Sequence, residues 1–140
     1  MAILSGDSAL VTASSSGLGK ASATSLVRDG ADVVLNGRNK DRLDAAAEAV
    51  REAGPGRVVT QQGDITVKAD IEEVVEAAVD EFGGIDHVVT SAGGPPSGPF
   101  LDITDDQWYE AFDLLVMSVV RTVRVAEPYL RDGGGTVTMI

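Results

Sequence analysis

Short apolar runs alternate with longer segments of helical periodicity along the whole chain. The apolar runs predict five strands, over 8–12, 32–36, 57–61, 85–90 and 136–140. Between them, small or apolar residues recur at spacings of three and four, which predicts four helices over 17–29, 39–53, 67–82 and 104–131. Glycine and proline clusters separate the elements, most densely at 54–56, 93–99 and 133–135.

This alternation of strands and helices predicts an α/β fold built on a parallel sheet. The strands are continuous apolar runs, such as VVL at 33–35, and this pattern is typical of strands covered by helices on both faces. Right-handed crossovers then favour a Rossmann-type doubly wound sheet with strand order 3-2-1-4-5. We expect one domain over 1–140, ending with the fifth strand.

Composition excludes several classes of function. The 140 residues include no cysteine and one histidine, so the sequence predicts no disulfide, thiol nucleophile or metal site. A net charge of −11 argues against nucleic-acid binding, which needs a clustered basic face. The chain has neither a signal-peptide pattern nor the ~20 apolar residues of a membrane span, so we expect a cytoplasmic protein without membrane contact.

The turn after the first strand is the strongest candidate for chemistry. It reads Thr12-Ala13-Ser14-Ser15-Ser16-Gly17-Leu18-Gly19, and it would bring backbone amides to a pyrophosphate at a helix N-terminus. Its glycines permit close approach, and its serines can add hydroxyl donors. The predicted cofactor contacts in this turn are Thr12, Ser14, Ser16, Gly17, Leu18 and Gly19. The alternative is a Ser/Gly turn that opens a helix without binding a ligand.

The end of the second strand bears on the choice between NAD and NADP. A carboxylate there would bind the ribose hydroxyls, but the sequence has Asn36-Gly37-Arg38-Asn39. A guanidinium fits a phosphate bidentately, which favours a 2′-phosphate at Arg38. Asn39 is predicted both as a cofactor contact and as the N-cap of the second helix. Alternatively, Arg38 faces solvent at a loop.

These motifs resemble the short-chain dehydrogenase/reductase family, and the resemblance covers essentially the whole chain. The family's turn is T-G-x-x-x-G-x-G; Thr12, Gly17 and Gly19 match it, while Ala13 replaces the first glycine. In the family, an arginine at the place of Arg38 accompanies NADP(H). The resemblance therefore implies an NADP(H)-dependent oxidoreductase, most similar in this half to the 3-oxoacyl-carrier-protein reductase type.

The resemblance also assigns roles at the ends of the third and fourth strands. It implies that Asp64 binds the adenine amino group and that Ile65 frames the ring, although Asp64 could equally cap the next helix. The family's N-N-A-G motif lines the cofactor ribose. Here Thr90 and Ser91 replace its asparagines, and the predicted contacts are Ser91, Ala92 and Gly93.

The fourth predicted helix departs from the family at one position. Leu115 occupies the place of an asparagine that anchors a water in the family's proton relay. Residues 111–120 place apolar side chains on nearly every face of this helix, and the sheet can bury only one of those faces. The other apolar side chains must be buried by another part of the protein or by a partner. A homo-oligomer through the 104–131 helix or a following C-terminal half would supply that cover. His87 is predicted to be a surface or loop-packing residue.

The family's catalytic Tyr-x-x-x-Lys is absent from this chain. Asp113 and Gly133 stand four residues after the two tyrosines, Tyr109 and Tyr129, and all three lysines precede them. In the family, the catalytic serine, tyrosine and lysine follow the fifth strand. We therefore expect half of a reductase that transfers hydride between nicotinamide and a carbonyl or alcohol, inactive alone. A non-catalytic NADP-binding module and an oligomeric assembly subunit are the alternatives.

Overall fold

The computed structural model describes residues 2–140, apart from the side chains of residues 131 and 132. Its centre is a sheet of five parallel strands in the order β3-β2-β1-β4-β5, which confirms the predicted fold and strand order. The strands are β1 Ser8–Val11, β2 Asp32–Gly37, β3 Val58–Gln62, β4 His87–Thr90 and β5 Thr136–Met139.

Helices connect the strands and cover both faces of the sheet. They are α1 Gly17–Arg28, α2 Lys40–Arg51, α3 Lys68–Phe82, α4 Asp105–Phe112 and α5 Ser118–Gly133, with a 3₁₀ turn at Phe100–Asp102. None of the helices in the described part of the chain is long and apolar enough to cross a bilayer.

The helix predicted over 104–131 is present, but it contains a π-helical turn that the sequence pattern did not indicate. Thr104 caps the segment through a capping box with Gln107, but a π-helical turn at Asp113–Met117 separates α4 from α5. In this turn the Ser118 amide donates to the carbonyl of Asp113, five residues back. The predicted apolar periodicity could not show this because the extra residue lies inside an apolar run.

Two apolar cores lie on opposite faces of the sheet, because successive strand residues point to opposite sides. On one face Ala9, Val11 and Leu35 pack with residues of α1 and α2. On the other face Leu10 and Val34 pack with residues of α3 and α5. This double cover explains why the strands are apolar along their whole length.

The N-terminal edge of the sheet is closed by polar contacts. The carboxylate of Asp86 accepts from the Ser8 amide at 2.8 Å. His87 begins β4 there, with Nε2 3.0 Å from Asp7 Oδ2 and Nδ1 2.8 Å from Thr136 Oγ1. The histidine thus joins the start of β4 to β5 and to the segment before β1, at the edge opposite the strand C-terminal ends.

We expect that shortening a side chain in the core lowers the free energy of unfolding far more than shortening one on the surface. Leu35 is fully buried, so Leu35→Ala should lower the free energy of unfolding by about 2–5 kcal/mol through lost transfer energy and the cavity left behind. Leu101 is 90% exposed, and Leu101→Ala is the matched control with an expected change within about 0.5 kcal/mol. Urea unfolding followed by circular dichroism measures both. Equal losses would contradict the assignment of the core.

Candidate functional site

Four strand ends meet at one edge of the sheet and carry most of the predicted site residues. Because β1, β2, β3 and β4 are parallel and adjacent, the segments 12–17, 37–39, 63–66 and 91–93 all follow their C-terminal ends. In open α/β sheets ligands bind along this edge. The structure therefore brings together residues as far apart in the chain as Thr12 and Ser91, which are separated by 79 positions.

The turn between β1 and α1 packs closely and leaves the N-terminus of α1 open. Ala13 and Gly17 adopt positive φ angles of 46° and 57°. A Cβ on Gly19 would lie 2.6 Å from the Ala13 carbonyl oxygen, so only glycine lets α1 pack this closely on the turn. Ser16 is the N-cap but makes no side-chain capping hydrogen bond, and the first turn of α1 holds no acidic residue. The N-terminal amides of α1 therefore remain available to an anion.

Only part of this turn is exposed to solvent. Ser16, Gly17 and Leu18 are exposed, and Leu18 is 70% exposed. Ser14 is fully buried instead; its hydroxyl donates to the Val11 carbonyl at 2.8 Å and accepts from the Asn36 amide at 3.0 Å. The Ser14 hydroxyl thus braces the turn and is not open to a ligand in this structure.

Thr12 also acts within the protein. Its hydroxyl donates to the Ser91 carbonyl at 2.8 Å and accepts from the Ser91 amide at 2.9 Å. This pair of hydrogen bonds joins the ends of β1 and β4 and fixes the backbone that leads into Ala92 and Gly93. The Thr90 hydroxyl contributes a longer bond, 3.5 Å, to the Thr138 carbonyl of β5.

Asn36 is a site residue that sequence reasoning missed. It is 1% exposed, and its Oδ1 accepts from the Ala13 amide at 3.1 Å. Its Nδ2 donates to the carbonyls of Gln61 and Gly63, at 3.3 and 3.1 Å. One buried side chain therefore connects the turn after β1 with the end of β3. The only signal in the sequence is an amide inside an otherwise apolar strand.

Arg38 and Asn39 follow β2 at the open side of this edge. Arg38 is exposed, and its carbonyl accepts from Gln62 Nε2 at 2.8 Å. Asn39 caps α2 by accepting from the Arg42 amide at 2.9 Å, which confirms the predicted N-cap. An open groove of about 460 Å³ lies beside them, lined by Arg38, Gln61, Gln62, Gly63, Asp64, Asp70 and Glu73.

Asp64 closes a local turn and does not cap α3. Its Oδ1 accepts from the amide and the hydroxyl of Thr66, at 2.9 and 2.7 Å, whereas α3 begins only at Lys68. Partial burial acts to raise the pKa of Asp64, but the two Thr66 hydrogen bonds and the charge of Arg38 outweigh it and lower that pKa below its ordinary value. Asp64 is therefore held ionised beside Arg38. The neighbouring Ile65 is buried, 6% exposed.

The loop after β4 leads from the strand edge to an exposed apolar region. Gly93 and Gly94 are exposed, and the loop ends in the 3₁₀ turn that begins at Phe100. Phe100 contacts Trp108 edge-to-face, with ring centroids 6.1 Å apart, although both side chains are more than half exposed. This contact attaches the end of the loop to α4.

Leu115 lies in the π-helical turn and is 44% exposed. The turn is braced on both sides: the Ser118 hydroxyl donates to the Leu114 carbonyl at 2.5 Å, and Arg121 Nη2 donates to Asp113 Oδ1 at 2.6 Å. The leucine side chain has no hydrogen-bonding group, so it cannot hold a water as the family's asparagine does.

The described residues offer no group of three histidine or acidic side chains placed to bind a metal. Tyr109 and Tyr129 are 74% and 39% exposed on α4 and α5. Tyr109 lines an open acidic groove with Thr66, Asp106, Glu110 and Asp113.

The lowered pKa of Asp64 makes a testable contribution to stability. A carboxyl whose pKa is lower in the folded than in the unfolded state contributes stability that is fully present above the unfolded pKa, about 3.9. That contribution is lost as pH falls through the lower folded-state pKa. We therefore expect Asp64→Asn, which keeps an acceptor for Thr66, to weaken the loss of stability on acidification over this range.

The measurement is urea unfolding at a series of pH values from about 5 to 2. The exposed carboxyl of Asp80 supplies the control, because Asp80→Asn removes one negative charge on the outer side of α3. If Asp64→Asn and the parent chain lose stability in parallel across the series, the assignment of the Asp64 hydrogen bonds is wrong.

Comparisons with known proteins find oxidoreductases among the relatives of this chain. The chain is 38% identical over 122 residues to an uncharacterized oxidoreductase of Staphylococcus epidermidis, covering 87% of this chain and 51% of that protein. An uncharacterized oxidoreductase of Methylorubrum extorquens is 34% identical over 140 residues, with 99% and 56% covered. The chain thus spans about half the length of the curated relatives it matches.

Solved structures show the same fold. L-sorbose reductase from Gluconobacter frateurii, complexed with NADPH and L-sorbose, superposes with a TM-score of 0.91 at 35% identity, covering 99% of this chain and 54% of that one. Hydroxysteroid dehydrogenase from Escherichia coli gives a TM-score of 0.90 at 26% identity, with 99% and 58% covered. The family model described as short chain dehydrogenase matches residues 7–140. The chain therefore belongs to the short-chain dehydrogenase/reductase family of oxidoreductases.

Proposed function

We propose that this chain is the NADP(H)-binding half of an oxidoreductase that transfers hydride between nicotinamide and the carbonyl or alcohol carbon of a small molecule. The observation that carries the proposal is the pairing of an open helix N-terminus with Arg38 at the end of β2, where no carboxylate stands. When bound, the nicotinamide supplies or accepts the hydride.

The turn after β1 fits the pyrophosphate. The amides at the N-terminus of α1 lack an acidic neighbour in the first turn, and Gly17 leaves open space where a side chain would stand. A pyrophosphate at this place would accept hydrogen bonds from those amides and gain from the helix dipole. The exposed hydroxyl of Ser16 is a further donor.

The end of β2 favours a 2′-phosphate over a free ribose hydroxyl. A carboxylate at this edge would bind the hydroxyls and repel the phosphate. Gly37 and the exposed Arg38 stand there instead, and a guanidinium can donate two parallel hydrogen bonds to a phosphate. The structurally similar L-sorbose reductase is complexed with NADPH, which supports the same choice for this chain.

The segments after β3 and β4 complete the proposed site. Asp64 and Ile65 would frame the adenine, and Ser91, Ala92 and Gly93 would line the ribose next to nicotinamide. Three expectations stay predictions from the sequence. They are the similarity to the 3-oxoacyl-carrier-protein reductase type, the cytoplasmic location, and the alternative of a non-catalytic binding module.

Arg38 should decide the selectivity between NADPH and NADH. We expect Arg38→Asp to weaken NADPH binding by more than tenfold, because a charge-assisted pair worth about 1.5–3 kcal/mol is replaced by a repulsion. NADH, which lacks the 2′-phosphate, should bind Arg38→Asp no more weakly than the parent chain. Fluorescence titration of the reduced nucleotides measures both affinities.

Arg124→Asp is the charge-matched control, since Arg124 is exposed on α5. It should leave the ratio of the two affinities unchanged. If Arg38→Asp and Arg124→Asp weaken NADPH equally, Arg38 does not contact the phosphate. If neither nucleotide binds the folded parent chain, the proposed cofactor site is wrong for this chain.

We further propose that the exposed apolar side of α4 and the π-helical turn is an interface between copies of this chain. The side chains concerned are Trp108, Phe112, Leu115 and Val116, each between 42% and 55% exposed. Together they form an exposed apolar stripe within 108–116, and an exposed apolar surface of this kind marks an interaction site. Their position agrees with the oligomer predicted through the 104–131 helix.

Introducing a charge into this stripe should dissociate the oligomer. We expect Phe112→Glu to shift the chain from a dimer or tetramer to a monomer, because burying an unpaired carboxylate opposes association. Sedimentation velocity at several concentrations measures the change. Ile3→Glu is the control, as Ile3 is 69% exposed outside the stripe. A parent chain that is monomeric at all concentrations would contradict this interface.

A further inference from the structure

Ala13 is held in a backbone conformation that alanine disfavours. Among residues 2–140 it is the one non-glycine residue with a positive φ, at 46°. In this left-handed region the Cβ approaches the following carbonyl oxygen, whereas glycine adopts the same conformation without strain. Such a residue persists only where its surroundings determine its conformation.

Asn36 supplies those surroundings. Its Oδ1 accepts from the Ala13 amide at 3.1 Å, and its own carbonyl accepts from the Ser14 amide at 2.7 Å. The Asn36 amide completes the set by donating to Ser14 Oγ at 3.0 Å. Both peptide N–H groups that flank the Ala13 α-carbon are therefore bound by the same buried residue.

The conformation of Ala13 sets the position of α1. Gly19 packs directly on the Ala13 carbonyl oxygen, so closely that a Cβ on Gly19 would be 2.6 Å from it. Rotation of the backbone at residue 13 would move that carbonyl and displace the first turn of α1. The amides of that turn are the ones that would face the pyrophosphate.

The other end of the Asn36 side chain fixes the segment after β3. Nδ2 donates to the carbonyls of Gln61 and Gly63, and the Gly63 amide donates to the Gly37 carbonyl at 3.1 Å. Asp64 comes directly after Gly63. One amide group therefore links the turn that would hold the pyrophosphate with the segment that would hold the adenine.

We infer that Asn36 is a positioning residue for dinucleotide binding: it holds Ala13 at positive φ and keeps the α1 N-terminus and the Asp64 segment in one fixed arrangement. Asn36 is 1% exposed and acts without touching the cofactor. This inference rests on the proposed function for its effect on affinity. Its effect on the φ of residue 13 is independent of any cofactor.

Four proteins test the inference: the parent chain, Asn36→Ala, Ala13→Gly and the double variant. We expect Asn36→Ala to weaken NADPH binding about tenfold or more. Because glycine adopts positive φ without support, the double variant should recover the part of that affinity that depends on residue 13, while the contacts with Gln61 and Gly63 stay lost. Ala13→Gly alone completes the double-mutant cycle. Fluorescence titration gives the affinities.

The second readout is the φ of residue 13 itself. The one-bond coupling between Cα and Hα in labelled protein distinguishes positive from negative φ in the absence of nucleotide. We expect residue 13 to leave positive φ in Asn36→Ala and to retain it in Asn36→Asp, which keeps the acceptor for the Ala13 amide. If Asn36→Ala does not fold, Asn36→Leu replaces it, since leucine branches at Cγ as asparagine does but has no acceptor.

The outcomes separate the two proposals. Retention of positive φ in Asn36→Ala or Asn36→Leu overturns the role of Asn36 at residue 13, as does a double variant that binds as weakly as Asn36→Ala. If the parent chain binds neither NADPH nor NADH, the proposed function fails, while the φ measurement still decides whether Asn36 holds Ala13.

Discussion

The exchange of hydrogen bonds between Ser14 and Asn36 is the constraint on which the C-terminal edge of the sheet depends. β1 ends at Val11, and the Ser14 hydroxyl donates to the Val11 carbonyl. Ser14 and Asn36 then pair through both backbone and side-chain groups. This pairing continues the attachment of the chain to β2 for three residues beyond the strand. Ser14 and Asn36 are almost completely buried, where an unpaired polar group is costly. Loss of one of these hydrogen bonds would therefore leave its partner buried and unpaired.

The fold was predictable because each of its determinants is local in the sequence. Apolar runs such as 33–35 identify buried parallel strands, and the glycines between helices and strands mark where they end. The strand order followed from the handedness of the connections. The structure confirms that order, while individual boundaries moved by a residue or two, as at Val11 and His87.

The candidate site was predictable only in part, since its internal contacts join distant residues. The segments were found because parallel strands bring their C-terminal ends to one edge. The partners of Asn36 lie 22 to 27 residues away, and an amide within a strand has no local pattern that reveals them. Ser14 shows the reverse case: its place in a Ser/Gly turn suggested a ligand contact, and only its complete burial shows that its hydroxyl acts within the protein.

The candidate site combines the positive charge of Arg38 with nearby carboxylates, in a chain that is acidic overall. The net charge is −11, and the groove beside Arg38 also includes Asp64, Asp70 and Glu73. All three carboxylates accept hydrogen bonds: Asp64 from Thr66, Asp70 from the Asp64 amide at 2.7 Å, and Glu73 from Gln61 Nε2 at 3.4 Å. At physiological salt, interactions between exposed charges are screened over about 8 Å. For an anion bound at this edge, attraction by Arg38 and by the N-terminus of α1 therefore outweighs repulsion by distant acidic residues.

The π-helical turn at Asp113–Met117 has a consequence for how this chain tolerates insertion and deletion. Such a turn is equivalent to one residue added to an α-helix, and each residue turns the helix by about 100°. Downstream, α5 buries Ser118, Thr122, Ala126 and Leu130, one side chain per turn. Loss of one residue from the π turn would restore a continuous α-helix while leaving that buried row in place. It would also rotate Trp108 and Phe112 about the axis, so a one-residue change in length could redirect an exposed surface without disturbing the sheet.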